Sequence, residues 1–357
     1  MRNSLVRNRF FGPPQAVPDR ARRANFGRIA LLKILTRIAV PALLIASAGF
    51  ASAAQLSTDA RTAIPHDVQQ LVAIDYRAMQ NSTAAMNLKA RVMPPELQQF
   101  EDALRKSGLN DKNDIDQYVD QLAFALFRPK ASPNSDAGDG VDTLGIAQGQ
   151  FPTQDIFANL TKKAVKPKIY RTNRIYPMGS TGMVVCFVDV STMIFGGTDA
   201  VKAALDARDG ISANMLTNAP IMESMKAVDM EPLWSLLDQK GTQTMLRQIL
   251  GQAGPLTDFE TVQKHLEGSY YSMSFQTGVH FDLTIATGDS FAAATISSLM
   301  NAALAYRKLS GSDPEKQALK ATDISSDAGH LTVHFATSDT EFASLLQSPL
   351  FQSMVHP

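Results

Sequence analysis

The sequence predicts an α+β fold built from two related halves, each a mainly antiparallel sheet packed by helices, after an N-terminal signal segment. Three observations predict this class. Short apolar runs of strand period alternate with longer runs of helical period. Two stretches 140 residues apart resemble each other, and the Thr277-Gly278 pair separates two strand-like runs, as in a β-hairpin. Strand pairs and helices within each half indicate an α+β arrangement.

The two similar stretches start at Thr192 and Thr332, are 14 residues long and share five identical positions. Each predicts a strand, a tight turn, a capping residue, an acidic residue in the first helical turn and then a helix. The predicted caps are Thr198 in the first stretch and Ser338 in the second. The sequence therefore predicts an internal duplication.

The duplication extends towards the start of each half. Residues 72–75 and 235–238 both form a short apolar run that ends in Asp before a helical segment. From these runs we predict a first half at 62–210 and a second half at 211–357. The junction is expected within 207–218, and the sequence leaves open whether the two sheets pair with each other.

A similar order of elements is predicted in both halves: a strand, helices, a pair of strands, a helix, a final strand and a short helix. In the first half, Met79, Met86 and Met93 mark one face of the opening helix. The segments predicted next are a helix at 97–108, strands at 121–127 and 143–149 and a helix at 154–163 in the first half, and strands at 270–276 and 279–287 and a helix at 291–308 in the second.

Residues 1–54 have the pattern of a bacterial secretory signal. They carry nine basic residues and one acid, followed by an uncharged apolar stretch at 38–50. The small residues Ala51, Ala53 and Ala54 then mark the predicted cleavage region. An uncleaved anchor in the inner membrane is the alternative, although the apolar stretch is shorter than the roughly 20 residues of a membrane span. A start site placed too early would also explain the long basic segment.

The chain after residue 54 is acidic, although the whole sequence has a formal net charge of zero. It keeps 25 basic and 33 acidic residues. An acidic chain argues against DNA, RNA and anionic lipid surfaces as main partners, because those reward a basic patch. Its one cysteine, Cys186, lies in an apolar run and is predicted to be a buried structural thiol without a disulfide partner.

The second half contains the candidate site residues His280, Asp282, His330 and His334. Their neighbours alternate between polar and apolar, so we predict strands, and the two later histidines would be about 13 Å apart along one strand. If the strands are neighbours in one sheet, all four side chains line one solvent-exposed surface of that sheet. The candidate roles are metal binding or acid–base chemistry, and the alternative is a solvated sheet face.

Other motifs argue against familiar chemistry. The acidic stretch at 111–116 has Ile115 where a calcium loop needs an oxygen ligand, so we predict a polar loop there, and another at 132–140. Residues 196–198 read Gly-Gly-Thr between a strand and a helix, without the lysine of a phosphate-binding loop. The sequence also lacks Gly-x-Ser-x-Gly, Ser-x-x-Lys and His-Glu-x-x-His. We therefore predict no catalytic residues and no cofactor.

Two patterns carry a family resemblance. A Pro-x-x-x-x-x-Leu-Val-Ala-Ile-Asp pattern runs from Pro65 to Asp75, and a strand–Gly–Gly–helix pattern runs from Ile194 to Leu205. With them, most of the chain after the leader resembles a group of uncharacterised exported bacterial proteins. The resemblance implies an architecture of two related α+β halves, and it transfers no functional residues.

The sequence favours an exported, periplasmic or extracellular protein without enzymatic activity that binds a lipid, a peptide or an envelope protein. Met215, Met222, Met225 and Met230 precede Trp234 and suggest either an apolar cleft or ordinary core. One alternative function is a hydrolase with a divergent site on the polar sheet face of the second half. Another is an envelope protein that an uncleaved leader tethers to the inner membrane.

Overall fold

The computed structural model describes residues 54–92, 117–128, 141–178, 182–250 and 263–348. Ala54 is the first described residue, so Ala51, Ala53 and the rest of the predicted leader lie outside the described residues. The helix predicted at 97–108 and the polar loops at 111–116 and 132–140 lie outside them as well.

Twelve strands within these residues form one sheet in which neighbouring strands are antiparallel. The strands are β1 (Val68–Asp75), β2 (Val119–Phe127), β3 (Asp142–Gly149), β4 (Lys168–Tyr170), β5 (Asn173–Pro177), β6 (Met183–Phe187), β7 (Thr192–Gly197), β8 (Leu233–Leu237), β9 (Leu266–Ser274), β10 (Val279–Thr287), β11 (Thr322–Asp327) and β12 (His330–Thr337). Their order across the sheet is β11-β12-β10-β9-β8-β1-β2-β3-β7-β6-β5-β4.

The helices cover both faces of the sheet to different extents. They are α1 (Thr58–Ala63), α2 (Tyr76–Met79), α3 (Thr83–Val92), α4 (Thr153–Lys162), α5 (Thr198–Arg208), α6 (Ala219–Met225), α7 (Gln239–Leu250), α8 (Ser290–Ser310), α9 (Asp313–Ala318) and α10 (Asp339–Leu345), with a 3₁₀ turn at Met215–Thr217. None of the helices in the described ranges has both the length and the apolar composition of a membrane span.

The predicted α+β class is confirmed. Strands β1–β7 form one side of the sheet and strands β8–β12 form the other, and they are called the first and the second segment below. A single strand pair joins the two segments. Strand β1 pairs with β8, and Val72 lies opposite Ser235. These two residues occupy matching positions in the predicted duplication, so the strand that opens each segment meets its counterpart at the centre. The sheet thus continues from one segment into the other. The relation between the halves and their boundaries stay predictions.

Two hydrophobic clusters pack on opposite faces of the sheet. The first runs along its whole width and includes Ile74, Phe195 and Phe281 together with apolar residues of α3, α4, α7, α8 and α10. The second covers the strands from β8 to β5 and is closed by α1, α5 and α6, and Trp234 and Ile194 are fully buried in it. On this second face, the outward residues of β10, β11 and β12 contribute no member to either cluster.

The structure corrects several details of the sequence prediction. Strand β9 ends at Ser274, two residues before the predicted end, while the long helix predicted at 291–308 is confirmed as α8. The sequence did not predict β4, β5, β6, β11, α1 or α9. Gly197 is the N-cap residue of α5, so the prediction of Thr198 as the cap is wrong, whereas Ser338 does cap α10 by accepting a hydrogen bond from the Glu341 amide.

Candidate functional site

The four candidate side chains of the second segment lie on one sheet face. Strands β10 and β12 are neighbours, and Asp282 lies directly opposite His334. Successive side chains of each strand point to opposite faces of the sheet. Phe281 and Val333 are buried on the core side, and Asp282 and His334 are exposed on the other side. The polar residues that share this surface on β10, β11 and β12 are called the polar sheet face below.

The structure brings three of these four side chains together. The Nδ1 atom of His334 lies 2.6 Å from Oδ1 of Asp282, and the ring of His280 lies 6.4 Å from the His334 ring. His330 lies opposite Ala286 at the far end of β12, about 13 Å from His334 along the strand. His330 therefore does not belong to the His334 group.

The chemistry of the polar sheet face is limited by exposure. The side chains of His334 and Asp282 are 51% and 58% exposed, which leaves their ion pair well solvated and weak. Among the described residues, no group of three or more His, Cys, Asp or Glu side chains is arranged to hold a metal ion. Within the described residues, no Ser or Thr hydroxyl is hydrogen-bonded to His334, whereas a hydroxyl nucleophile activated by this histidine would be.

Most of the methionine cluster is core. Met215 and Met225 are buried in the second hydrophobic cluster, and Met222 packs against it. Met230 is 68% exposed, and its sulfur accepts a hydrogen bond from the side-chain Nε2 of Gln55 at 3.0 Å. Met215 and Met225 are therefore core residues and not the lining of an apolar cleft, because folding turns them towards the sheet.

A cleft that the sequence did not predict lies where β1, β2 and β3 end. Its polar part has a volume of about 560 Å³. The Arg77 guanidinium forms an ion pair with the Asp120 carboxylate and also donates to the Gln117 carbonyl. The lining residues of the polar part are Asp75, Arg77, Asp120, Gln121 and Gln150.

An apolar part of about 520 Å³ adjoins the polar part, because Gln150 lines both. Val190 is 67% exposed at its edge. Phe151 is buried at its base, where its ring packs 5.9 Å from the ring of Phe187. The lining residues of the apolar part are Tyr118, Gly149, Gln150, Phe151, Pro152, Val190 and Ser191. The two parts together are called the Gln150 cleft.

Main-chain hydrogen bonds fix the walls of the Gln150 cleft. The Gln150 amide donates to the Tyr118 carbonyl at 2.9 Å, and the Phe151 amide donates to the Val190 carbonyl at 3.0 Å. The Tyr118 carbonyl occupies the place that a β-carbon on Gly149 would take, so glycine is required there. The walls come from four separate parts of the chain, which is why no single motif identified the cleft.

No protein-family model and no curated protein matches the chain. Among solved structures, it is similar to the Treponema protein TP0453 in crystal forms I, III and IV, with 11% sequence identity in each comparison. The TM-scores are 0.43, 0.47 and 0.39. The similarity covers 84%, 81% and 81% of this chain and 99%, 98% and 96% of TP0453. The family resemblance stays a prediction.

Proposed function

We propose that this chain is an exported, non-enzymatic binding protein whose Gln150 cleft holds an amphipathic ligand, a lipid or a peptide. The observation that carries the proposal is that Gln150 lines both a polar and an apolar cavity. Cavities of roughly 300–1,000 Å³ with apolar walls and a few fixed polar groups are typical of small-molecule sites.

The two parts of the cleft suit different ends of such a ligand. Arg77 and Asp120 are only half-exposed and hold each other in place, so they offer oriented donors and acceptors to a polar head. Phe151 and Val190 offer an apolar wall to a chain or side chain. The rigid main-chain frame lowers the entropic cost of binding because the cleft is already formed.

Mass spectrometry of the protein purified from its own cell envelope tests both parts of this proposal. The native mass is expected to exceed the denatured mass by a releasable ligand, whose mass distinguishes a lipid from a peptide. Val190→Asp puts a charge on the apolar wall and should abolish the mass difference. The control is Ile211→Asp, at an apolar position outside the cleft that is 53% exposed, and this variant should retain the ligand.

The two mass measurements test ligand binding by the Gln150 cleft and cleavage of the leader independently of each other. A wild-type protein with equal native and denatured masses would overturn the cleft, whatever its N-terminus. A denatured mass that retains residues 1–53 would overturn cleavage and favour the tethered alternative, whatever the ligand. Loss of the ligand in both Asp variants would point to a general loss of folding and would contradict a specific site.

The hydrolase alternative depends on the contact between His334 and Asp282, because a carboxylate that orients an imidazole is one component of a general base. Replacing His280 and His334 with Ala should abolish any hydrolytic activity that the purified protein shows. Activity that survives this double substitution would exclude the polar sheet face as its source. Within the described residues no hydroxyl is hydrogen-bonded to His334, the histidine that the Asp282 carboxylate orients, although the Thr277 hydroxyl lies 3.4 Å from Nε2 of His280; we therefore prefer the binding proposal.

A further inference from the structure

A short stretch of the chain is strongly basic, although the protein after residue 54 is acidic overall. Between Leu160 and Ile175 there are six basic residues and no acidic residue. All six are exposed: Lys162, Lys163, Lys166, Lys168, Arg171 and Arg174. They make up six of the 25 basic residues after the predicted leader. This group is called the basic edge below.

The fold gathers these cations at one end of the sheet. Helix α4 ends at Lys162, and the chain then turns into β4, the edge strand. Ala164 and Arg171 adopt positive φ angles of 57° and 54°, which reverse the chain before β4 and between β4 and β5. The Val165 amide donates to the Leu160 carbonyl at 3.0 Å and holds the first reversal against the helix end.

Most of the basic edge is electrostatically uncompensated. Arg171 has an acidic partner, because its Nε atom donates to Asp206 at 2.9 Å. Within the described residues, no ion pair or hydrogen bond involves the side chains of Lys162, Lys166, Lys168 or Arg174. A cluster of exposed like charges attracts a polyanionic surface, and the attraction weakens with salt.

An exposed apolar residue lies among these charges. Ile169 is 65% exposed, and it lies opposite Arg174 in the register of β4 and β5. Tyr170, the next residue, packs against the second hydrophobic cluster and hydrogen-bonds to Asp206, so the edge strand is anchored. A rigid edge that presents an aliphatic side chain between cations matches the boundary between lipid headgroups and acyl chains.

We propose that the basic edge docks the protein end-on onto an anionic phospholipid surface. The opposite edge strand, β11, carries Asp323 and Asp327, and it lies eleven strand spacings away, roughly 50 Å. An anionic surface attracts one end of the sheet and repels the other, which sets the orientation. The overall negative charge therefore does not exclude anionic lipid as a partner.

Vesicle sedimentation tests the proposal with the chain that begins at Ala54. Vesicles of phosphatidylcholine containing phosphatidylglycerol should bind it, and vesicles of phosphatidylcholine alone should not. Because each Lys or Arg near such a surface contributes a factor of about five, the triple change Lys166→Gln, Lys168→Gln and Arg174→Gln should weaken binding on the order of 100-fold. The salt dependence of binding should become shallower in this variant.

A matched control removes the same charge elsewhere. Lys240→Gln, Lys264→Gln and Lys320→Gln replace three exposed lysines outside the basic edge and should change binding less than about fivefold. Ile169→Ser should weaken binding severalfold without changing its salt dependence, because it removes only the apolar contact.

Three results would overturn the proposal. The first is equal binding to the two kinds of vesicle, or no binding to either. The second is an equal loss of binding in the two triple variants, which would indicate overall charge rather than the basic edge. The third is tighter binding to double-stranded DNA than to the anionic vesicles at the same salt concentration, which would assign the basic edge to nucleic acid.

Discussion

The carbonyl oxygen of Ala54 accepts a hydrogen bond from the indole Nε1 of Trp234 at 3.1 Å, across 180 residues of chain. Both residues are fully buried, and the Ala54 amide donates to the Glu231 carbonyl at 3.2 Å. The segment after it continues along the second hydrophobic cluster with Leu56 buried. The residue at the end of the predicted cleavage region is therefore a part of the core.

This contact predicts that the choice between two starting residues changes stability. A chain that begins at Gln55 lacks the Ala54 carbonyl, so the buried Trp234 N–H loses its acceptor. We expect its free energy of unfolding to be about 1–3 kcal/mol lower than that of a chain that begins at Ala54. Urea unfolding followed by circular dichroism measures the difference.

The control is the same pair of chains carrying Trp234→Phe. Phenylalanine has no N–H to lose, so removing Ala54 should then cost less, and the double-mutant cycle isolates the hydrogen bond. An equal cost in the Trp and Phe backgrounds would show that the hydrogen bond contributes nothing.

The same contact predicts where processing occurs. If the leader is cleaved, the peptide bond between residues 53 and 54 is the expected site, since cleavage one residue later would remove a buried part of the fold. Sequencing the N-terminus of protein from the cell envelope checks this. A mature chain that starts at Gln55 or later would contradict the prediction.

The thiol of Cys186 is predicted to be unreactive in the folded protein. It is fully buried, and burial raises its pKa to about 11, so the reactive thiolate is scarce at neutral pH. A thiol reagent should label it only after unfolding in urea. As a control, Val190→Cys places a thiol at a position that is 67% exposed and should add one site that reacts at once. Rapid labelling of the wild-type protein would contradict its burial.

The carboxylates of Asp238 and Glu341 are predicted to change the free energy of unfolding with pH in opposite directions. Burial raises the pKa of Asp238, although the Gly241 amide and Arg128 oppose this shift. The folded protein therefore keeps this proton to a higher pH than the unfolded chain does, and stability falls as the pH rises between the two pKa values. Hydrogen bonds from Ser338 and Thr337 lower the pKa of Glu341, so its contribution is lost as the pH falls.

Urea unfolding of Asp238→Asn and Glu341→Gln across the acidic range measures these signs. Relative to wild type, Asp238→Asn should gain stability as the pH rises above the ordinary Asp value, because Asn does not ionise and can still accept from the Gly241 amide. Glu341→Gln should lose stability relative to wild type as the pH rises towards the ordinary Glu value. Parallel curves for the two variants would contradict the assignment.

Gly149→Ala is predicted to destabilise the fold beside the Gln150 cleft. A methyl group there collides with the main-chain carbonyl of Tyr118, which cannot rotate away because it accepts the Gln150 amide. We expect a loss of at least about 1–3 kcal/mol, measured by thermal or urea unfolding. At Gly288 the nearest atom lies at an ordinary 3.5 Å, so Gly288→Ala should be neutral or slightly stabilising. Equal effects would show that the collision is relieved at little cost.

The secondary structure that could be predicted from the sequence is encoded by residues close together in the chain. Thr277-Gly278 lies between two alternating runs, and the hairpin of β9 and β10 forms there. The alternation around His334 likewise predicted that its side chain would share a face with Asp282. These features depend on neighbouring residues and on the period of a strand, which a single sequence displays.

Features that depend on distant segments were not predictable in the same way. The pairing of Val72 with Ser235 joins residues separated by 163 positions, and the Gln150 cleft requires four segments to meet. The basic edge was missed for another reason, because the net charge averages over the chain and hides a local excess such as that at residues 162–174. Even the methionine pattern fitted both a cleft and a core, because periodicity shows which face is apolar and not what covers it.

The central pairing of β1 with β8 has a consequence for the order of events during synthesis. Strand β1 is complete by Asp75, but the strand that covers its second edge ends only at Leu237. Until that strand emerges, β1 presents an unpaired edge on which another chain can pair. Closing so long a loop is slow, since non-local strand pairs form late in folding. A nascent or truncated chain that stops before Leu233 therefore lacks the partner for this edge of β1 and is more prone to pair with another chain.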